Sequence, residues 1–134
     1  MSEILADTSV WIDFFQTKDS PFAKYLDHLF EEESVCTTNL IKAEIIPGAK
    51  SEKEYHLLYD YFNALPLARE PDDLWGKIIN YQFLLKKKGI YGISIPDLII
   101  ITVAIYNNKV IFSKDKHFKL AKKVLPFKII EHLS

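Results

Sequence analysis

The sequence predicts an α/β fold, a three-layer α/β/α sandwich around a central, mostly parallel sheet. Three observations support this prediction: short apolar segments alternate with helical segments, the predicted strands are apolar throughout, and no repeat or flexible linker interrupts the order. Strands that are apolar on both faces are typical of parallel sheets covered by helices on both sides. We therefore expect one domain over residues 1–134, a length that is sufficient to bury a core.

The first half of the chain contains two predicted strands and four predicted helices. They are a strand at 4–6, a helix capped by Thr8 or Ser9 that runs to about Phe15, a helix from Pro21 to about Glu32, a strand at 34–38, a helix capped by Thr38 or Asn39 that ends near Pro47, and a helix at 51–63. These helices begin at residues that accept hydrogen bonds from free backbone N–H groups, such as Ser20 before Pro21. The segment SEKE at 51–54 is a capping box.

The second half continues the alternation after Pro66. The predicted elements are an edge strand at 65–68, a helix within 70–89, a helix at 95–108, a strand at 109–115, a short helix at 116–124 and a last strand at 127–130. The helix within 70–89 begins with acids and ends with lysines and Gly89, which suits the helix dipole. The segment at 95–108 is rich in Ile and Val, so a strand competes with a helix there.

Composition excludes several classes of protein. The single cysteine, Cys36, cannot form a disulfide framework or a cysteine-rich zinc site, and it is expected in the core. The apolar run at 98–106 is too short to span a membrane, and Glu3 and Asp7 lie where a signal peptide would carry positive charge. We therefore expect a soluble, cytoplasmic protein without a membrane partner.

The charge is distributed unevenly along the chain. Residues 1–85 contain 7 basic and 15 acidic residues, whereas residues 86–134 contain 10 basic and 3 acidic residues. Lys114, Lys116 and Lys119, with His117 among them, could follow the phosphates of a nucleic acid. The alternative is that these lysines are ordinary solvated residues on helix faces.

Four acidic residues are predicted to meet at one edge of the sheet. Asp7 follows the first strand, Asp115 lies just after the segment VIFS at 110–113, Glu44 lies in the helix after the second strand, and Asp97 begins the helix at 95–108. Ligands of parallel sheets bind at the carboxyl ends of the strands. Taken singly, each acid has an ordinary explanation as a turn, helix-start or surface residue.

Four carboxylates in one cleft repel each other unless cations neutralise them. Oxygen ligands without thiolates predict Mg²⁺ or Mn²⁺, which accept phosphate oxygens and activate a water for hydrolysis of a phosphodiester. The side chains of Thr8, Ser9 and Ser113 lie beside Asp7 and Asp115 in the sequence, where they could orient carboxylates or bound waters. The acids therefore predict a metal-dependent nuclease.

Four segments resemble the signature segments of PIN-domain ribonucleases, most closely the VapC-type toxins of toxin and antitoxin pairs. They are ADTSVWIDFF, NLIKAEIIPGAK with Glu44, IPDLIIITVAIYNN with Asp97, and VIFSKDKHF, and they span nearly the whole chain in the family's order. The resemblance implies that Asp7, Glu44, Asp97 and Asp115 are the catalytic, metal-binding acids, and that Ser113 replaces a hydroxyl that many members supply as Thr. His117 stands where many relatives have a further Asp, which leaves the number of bound metals open.

The same resemblance implies an RNA substrate, a homodimer, and a cognate antitoxin whose C-terminal segment blocks the acidic cleft. Two alternatives retain the fold: a solitary RNA-processing nuclease, and a non-catalytic RNA-binding or interaction module. A haloacid-dehalogenase-type phosphatase would need Asp at the position of Ser9, and a receiver-like domain would need adjacent acids after the first strand. Neither pattern occurs in this sequence.

Overall fold

The computed structural model describes residues 3–32 and 34–130, and within them it has four strands and seven α-helices. The elements are β1 (Glu3–Ala6), α1 (Thr8–Gln16), α2 (Pro21–Glu32), β2 (Ser34–Cys36), α3 (Asn39–Ile45), a 3-10 turn (Ile46–Gly48), α4 (Glu52–Asn63), α5 (Leu74–Lys87), α6 (Ile95–Asn107), β3 (Val110–Phe112), α7 (His117–Lys122) and β4 (Lys128–Ile129). This order confirms the predicted α/β class and the three-layer sandwich.

All strand pairs in the sheet are parallel, and the strand order is β2-β1-β3-β4. Leu5 in β1 pairs with Cys36 in β2 on one side and with Ile111 in β3 on the other. The chain therefore leaves β1 toward one edge of the sheet and later returns to its other side. Such a reversal opens a crevice at the carboxyl ends of the two central strands, β1 and β3.

The helix boundaries agree with the sequence prediction except at the starts of α1 and α5. The acids predicted to begin α5 precede it, because the helix starts at Leu74 and has no acid in its first turn. The residue that caps α1 is Asp7, whose Oδ1 accepts a hydrogen bond from the Val10 N–H at 3.3 Å. The prediction of Thr8 or Ser9 as the cap is therefore wrong. The later caps are confirmed: Ser20, Thr38 and Ser51 each accept a hydrogen bond from a backbone N–H three residues further on.

The structure decides the secondary structure of two segments for which the sequence signals were ambiguous or weak. The segment at 95–108 is helical, capped by Ser94 at its start and by the left-handed Asn108 at its end. Its Ile and Val residues are accommodated because six residues of α6 are buried in the core. The predicted edge strand at 65–68 is only an isolated bridge, in which Leu67 pairs with Thr37.

An aromatic cluster packs the helices that follow β1. Trp11 is fully buried and lies 5.0 Å from Phe62 and 5.6 Å from Phe14 between ring centroids. Edge-to-face contacts of this kind stabilise a core beyond the area that they bury. The cluster anchors α1, so the chain that leaves Asp7 has a defined direction.

Cys36 is buried in the core, as predicted, and burial raises the pKa of its thiol to about 12. None of the helices in the described part of the chain combines the length and the apolar character that crossing a membrane requires.

Candidate metal centre

The candidate site lies at the carboxyl ends of β1 and β3. The backbone N–H of Asp7 donates to the Phe112 carbonyl at 3.0 Å, so the two chain segments stay together beyond the last paired residues. Asp7 then begins α1, while Ser113 and Asp115 continue from β3. The sheet itself therefore brings Asp7 and Asp115 to one edge, in agreement with the sequence prediction.

Asp7 is held by two serine hydroxyls, one from each side of the crevice. The Ser9 hydroxyl donates to Asp7 Oδ1 at 2.6 Å, and the Ser113 hydroxyl donates to Oδ2 at 2.6 Å. Only 5% of Asp7 is exposed. We refer to Asp7, Ser9 and Ser113 as the clamped half of the site, because hydrogen bonds restrain both carboxylate oxygens.

The same two hydroxyls also accept hydrogen bonds from the loop after β3. Ser9 Oγ accepts from the Lys114 N–H at 3.1 Å, and Ser113 Oγ accepts from the Asp115 N–H at 2.8 Å. Each hydroxyl has one proton, which it uses to reach Asp7, so the direction of every bond in the network is defined. The network thus joins the start of α1 to the loop that carries Asp115.

Burial raises the pKa of Asp7, and the nearby charge of Asp97 adds to this increase. The hydrogen bonds from Ser113, Ser9 and the Val10 N–H act in the opposite direction because they stabilise the carboxylate. The buried Asp7 carboxylate accepts three hydrogen bonds and could still bind a cation. A divalent ion would remove the cost of burying its charge.

Asp97, Asp115 and His117 form the open half of the site. One ligand atom from each of these side chains lies within 4.8 Å of the ligand atoms of the other two. Within residues 3–32 and 34–130, this is the one group of three or more His, Cys, Asp or Glu side chains that could hold a metal ion. His117 Nδ1 lies 2.8 Å from Asp115 Oδ1, and the His117 backbone N–H donates to the same oxygen at 2.9 Å. All three residues are partly exposed, so solvent and ligands can reach them.

Asp97 is placed by the first turn of α6. The Ser94 hydroxyl accepts a hydrogen bond from the Asp97 N–H at 3.2 Å, which starts the helix there. Burial raises the pKa of Asp97, the charges of Asp115 and Glu44 raise it further, and the Ser94 bond and His117 lower it.

Glu44 occupies the outer rim of the site. Its Oε1 accepts a hydrogen bond from the Thr8 hydroxyl at 2.6 Å, although its side chain is exposed. Thr8 therefore aims Glu44 toward the start of α1, a positioning role that the sequence prediction assigned to hydroxyls beside Asp7. Asp7 and Glu44 lie outside the close group formed by Asp97, Asp115 and His117.

The ligand atoms suit a hard divalent ion that also accepts a nitrogen ligand. Carboxylate oxygens from Asp97 and Asp115 and an imidazole nitrogen from His117 are close enough to converge on one ion. Mg²⁺ and Mn²⁺ accept such oxygen ligands and keep open positions for water or phosphate. The residues present therefore fit a divalent metal of this class.

The basic residues predicted for RNA have different surroundings. Lys114 is bound to Asp13, with Nζ 2.8 Å from Oδ2, and the same ammonium lies 5.5 Å from the centre of the Phe22 ring. The hydrogen bond from Lys114 lowers the pKa of Asp13. Lys116 and Lys119 are exposed beside the open half, whereas His117 faces Asp115.

A groove between α1, α3 and α4 was not assigned in the sequence. It has a volume of about 710 Å³ and is lined by apolar residues that include Ile12, Phe15, Leu57 and Tyr61, with Glu44 also in its wall. Leu57 is 62% exposed and Ile12 is 44% exposed. The sequence signal for this groove is the segment YHLLYDYF at 55–62, which has more aromatic and aliphatic residues than one helix face needs, although core packing could also explain them. Through Glu44, the groove adjoins the acidic site.

Comparison with known proteins agrees with this geometry. The family model described as the PIN domain matches residues 4–124. No curated protein matches the sequence. Among solved structures, the chain is similar to VapBC-1 from nontypeable Haemophilus influenzae, with 17% identity over 96% of this chain and 97% of that chain and a TM-score of 0.76.

Two further solved structures have the same fold. VapBC2 from Rickettsia felis, bound to a DNA fragment from its promoter, has 15% identity over 96% of this chain and 97% of that chain, with a TM-score of 0.74. VapBC-5 from Mycobacterium tuberculosis, a member of a family of toxin-antitoxin systems, has 19% identity over 98% of this chain and all of that chain, with a TM-score of 0.66.

Proposed function

Since the chain belongs to the PIN-domain family, we propose that it is a divalent-metal-dependent ribonuclease that hydrolyses RNA phosphodiester bonds. The observation that carries the proposal is the close group of Asp97, Asp115 and His117 beside the end of β3, with Asp7 at the adjoining end of β1. Structural residues rarely concentrate unneutralised acids at the ligand-binding edge of a parallel sheet.

The residues have separate tasks in the proposed reaction. Asp7, Asp97, Asp115 and Glu44 would hold Mg²⁺ or Mn²⁺, which, when bound, lowers the pKa of an attacking water and neutralises phosphate charge. Ser9 and Ser113 keep the Asp7 carboxylate in one orientation. Thr8 orients Glu44 at the rim. Positioning of this kind contributes to catalysis because the reacting groups need not reorganise.

The RNA backbone would approach from the side of α7. Lys116 and Lys119 are exposed there and lie next to Asp115 in the sequence. Positive charge at this place would bind phosphates and compensate the acidic cleft. Lys114 contributes less to this surface, because Asp13 already neutralises its ammonium.

We further propose that the chain is the toxin of a toxin and antitoxin pair. Its cognate antitoxin would occupy the groove between α1, α3 and α4. The named structural neighbours are VapBC proteins. The groove combines exposed apolar side chains with Glu44, so it suits an amphipathic segment with a cationic residue near the acidic site. Leu57→Glu should abolish binding of such an antitoxin without reducing RNA cleavage; undiminished binding would remove the groove from the proposal.

A homodimer is proposed through one face of α5. Trp75, Ile79 and Phe83 form a stripe on this helix, and they are 58%, 70% and 62% exposed. Asp72 and Asp73 precede the helix and Lys86–Lys88 end it, so two antiparallel copies would place acids opposite lysines. Ile79→Lys should convert the dimer to a monomer in light scattering, and a wild-type monomer at high concentration would disprove this interface.

The test of the central proposal is cleavage of a mixed RNA pool by the full chain. Cleavage is expected with Mg²⁺ or Mn²⁺, no cleavage with chelator, and a loss of at least about 100-fold in Asp7→Asn. Asp60→Asn, which changes an exposed acid on α4, is the matched control and should cleave normally. A folded wild-type protein that binds RNA but does not cleave it would favour the non-catalytic module.

A further inference from the structure

We propose that His117 is a ligand of the divalent ion beside Asp97 and Asp115, and that its imidazole makes this site prefer Mn²⁺ to Mg²⁺. The inference rests on the proposed metal dependence and changes the task that the sequence suggested for His117, which was contact with RNA. It concerns the open half of the site, where this chain has a histidine in place of an acid.

The orientation of His117 is set by two contacts with one oxygen. Its backbone N–H donates to Asp115 Oδ1 at 2.9 Å, and its ring Nδ1 lies 2.8 Å from the same atom. The backbone contact starts α7 and holds the ring close to the carboxylate. Because 40% of the His117 side chain and 33% of the Asp115 side chain are exposed, both remain accessible to an ion from solvent.

The spacing of these atoms suits neighbouring positions around a metal. In an octahedral site with metal–ligand distances of about 2.1 Å, adjacent ligand atoms lie about 3.0 Å apart. The separation of Nδ1 and Oδ1 is 2.8 Å. A metal ion could therefore bind both atoms with little movement of either side chain.

Asp97 supplies the third ligand atom from a different element. One atom from each of Asp97, Asp115 and His117 lies within 4.8 Å of the others, so the group is preformed by α6 and the start of α7. The ion would therefore bridge two parts of the chain that the sheet brings together.

The side chain at position 117 decides which ion is preferred. Mg²⁺ selects oxygen ligands and retains its waters, whereas imidazole nitrogen is a good ligand for first-row transition ions. A site with two carboxylates and one imidazole gains affinity for Mn²⁺ and not for Mg²⁺. An acid at position 117 would supply a third oxygen and reduce that difference.

The test measures binding of Mn²⁺ and Mg²⁺ to the full chain by calorimetry, independently of RNA cleavage. His117→Asp should lower the ratio of Mn²⁺ to Mg²⁺ affinity by roughly tenfold or more. His56→Asp, on the exposed face of α4, is the matched control and should leave the ratio unchanged. His117→Gln provides a neutral second variant in case the added acid disturbs folding, which circular dichroism would reveal.

Electron spin echo spectroscopy of bound Mn²⁺ provides a direct second readout. A nitrogen coupling from imidazole is expected in the wild type and in His56→Asp, and its loss is expected in His117→Asp and His117→Gln. Bound Mn²⁺ without nitrogen coupling, or an unchanged affinity ratio in His117→Asp, would overturn this inference while leaving the ribonuclease proposal intact. Nitrogen-coupled Mn²⁺ in a chain that cleaves no RNA would support the inference and contradict the proposed function.

Discussion

Asp7 and Asp115 follow neighbouring strands of one sheet, yet their carboxylates have different surroundings. Asp7 is buried and accepts hydrogen bonds from Ser9, Ser113 and a backbone N–H. Asp115 is one-third exposed in its side chain and shares one oxygen with the ring and the backbone of His117. The clamped half therefore has a defined geometry before any ion binds, whereas the open half leaves ligand atoms accessible.

This difference indicates that the two halves of the site have different roles. A carboxylate held by two hydroxyls loses little freedom when substrate and metal arrive, so it serves as the fixed reference point of the cleft. The partly exposed group receives the ion and adjusts around it. The Ser113 hydroxyl, which donates to Asp7 and accepts from the Asp115 N–H, links the two halves, so neither is expected to act alone.

The largest expected effect tests whether the two halves form one unit. Asp7→Asn and Asp115→Asn should each reduce RNA cleavage by at least about 100-fold, and the double variant should lose little more than either single variant. The reason is that both carboxylates support the same bound ion and water. Single-turnover rates with saturating Mn²⁺ would measure this. Multiplicative losses in the double variant would mean that the halves contribute independently.

The second prediction separates the halves by metal binding. At an Mn²⁺ concentration of 100 times the dissociation constant, the wild type should gain about 2.7 kcal/mol in free energy of unfolding, a rise in melting temperature of the order of 10 °C. Asp115→Asn should lose most of this gain, and Asp7→Asn should retain a larger part. Differential scanning calorimetry with and without chelator provides the measurement. An equal loss in both variants would contradict the assignment of the ion to the open half.

The third prediction concerns the hydroxyl that joins the halves. Ser113→Ala removes the donor to Asp7 and the acceptor for the Asp115 N–H, so it should lower the free energy of unfolding by about 1–2 kcal/mol and cleavage by roughly 10-fold or more. Ser113→Thr keeps the hydroxyl and should restore most of both. Urea denaturation and cleavage rates would show this. If Ser113→Ala behaves like the wild type, the hydrogen-bond network does not position the acids.

The smallest expected effect is a pH dependence of the metal-free protein. Because the pKa of Asp7 is raised in the folded state, the stability associated with it is present below the ordinary value of 3.8 and is lost as pH rises through the folded pKa. The loss is at most about 1.4 kcal/mol per pH unit for one group. Asp7→Asn should flatten this part of the curve, as followed by urea denaturation from acidic to neutral pH. The same slope in the variant would assign the dependence to other groups.

Several local features of the fold were predictable from the sequence because they depend on neighbouring residues. Ser20 with Pro21 and Ser51 with Glu54 are helix starts whose hydrogen bonds form within one turn. The prediction of an edge strand at 65–68 was wrong. A strand needs a partner along its length, and this segment pairs only through one bridge, to Thr37. The cap of α1 was assigned one or two residues late, because Asp7 caps the helix and also belongs to the acidic site.

The sequence by itself determined the order of the elements and the edge at which Asp7 and Asp115 meet. Apolar runs and capping residues act over a few positions, and the carboxyl ends of parallel strands necessarily share one edge. Only the tertiary structure decided the partners of individual side chains. Ser113 donates to a carboxylate 106 positions away, and Lys114 turns to Asp13 instead of to solvent. Such choices depend on distances between segments that the chain brings together only when the sheet and its helices pack, so no local pattern could specify them.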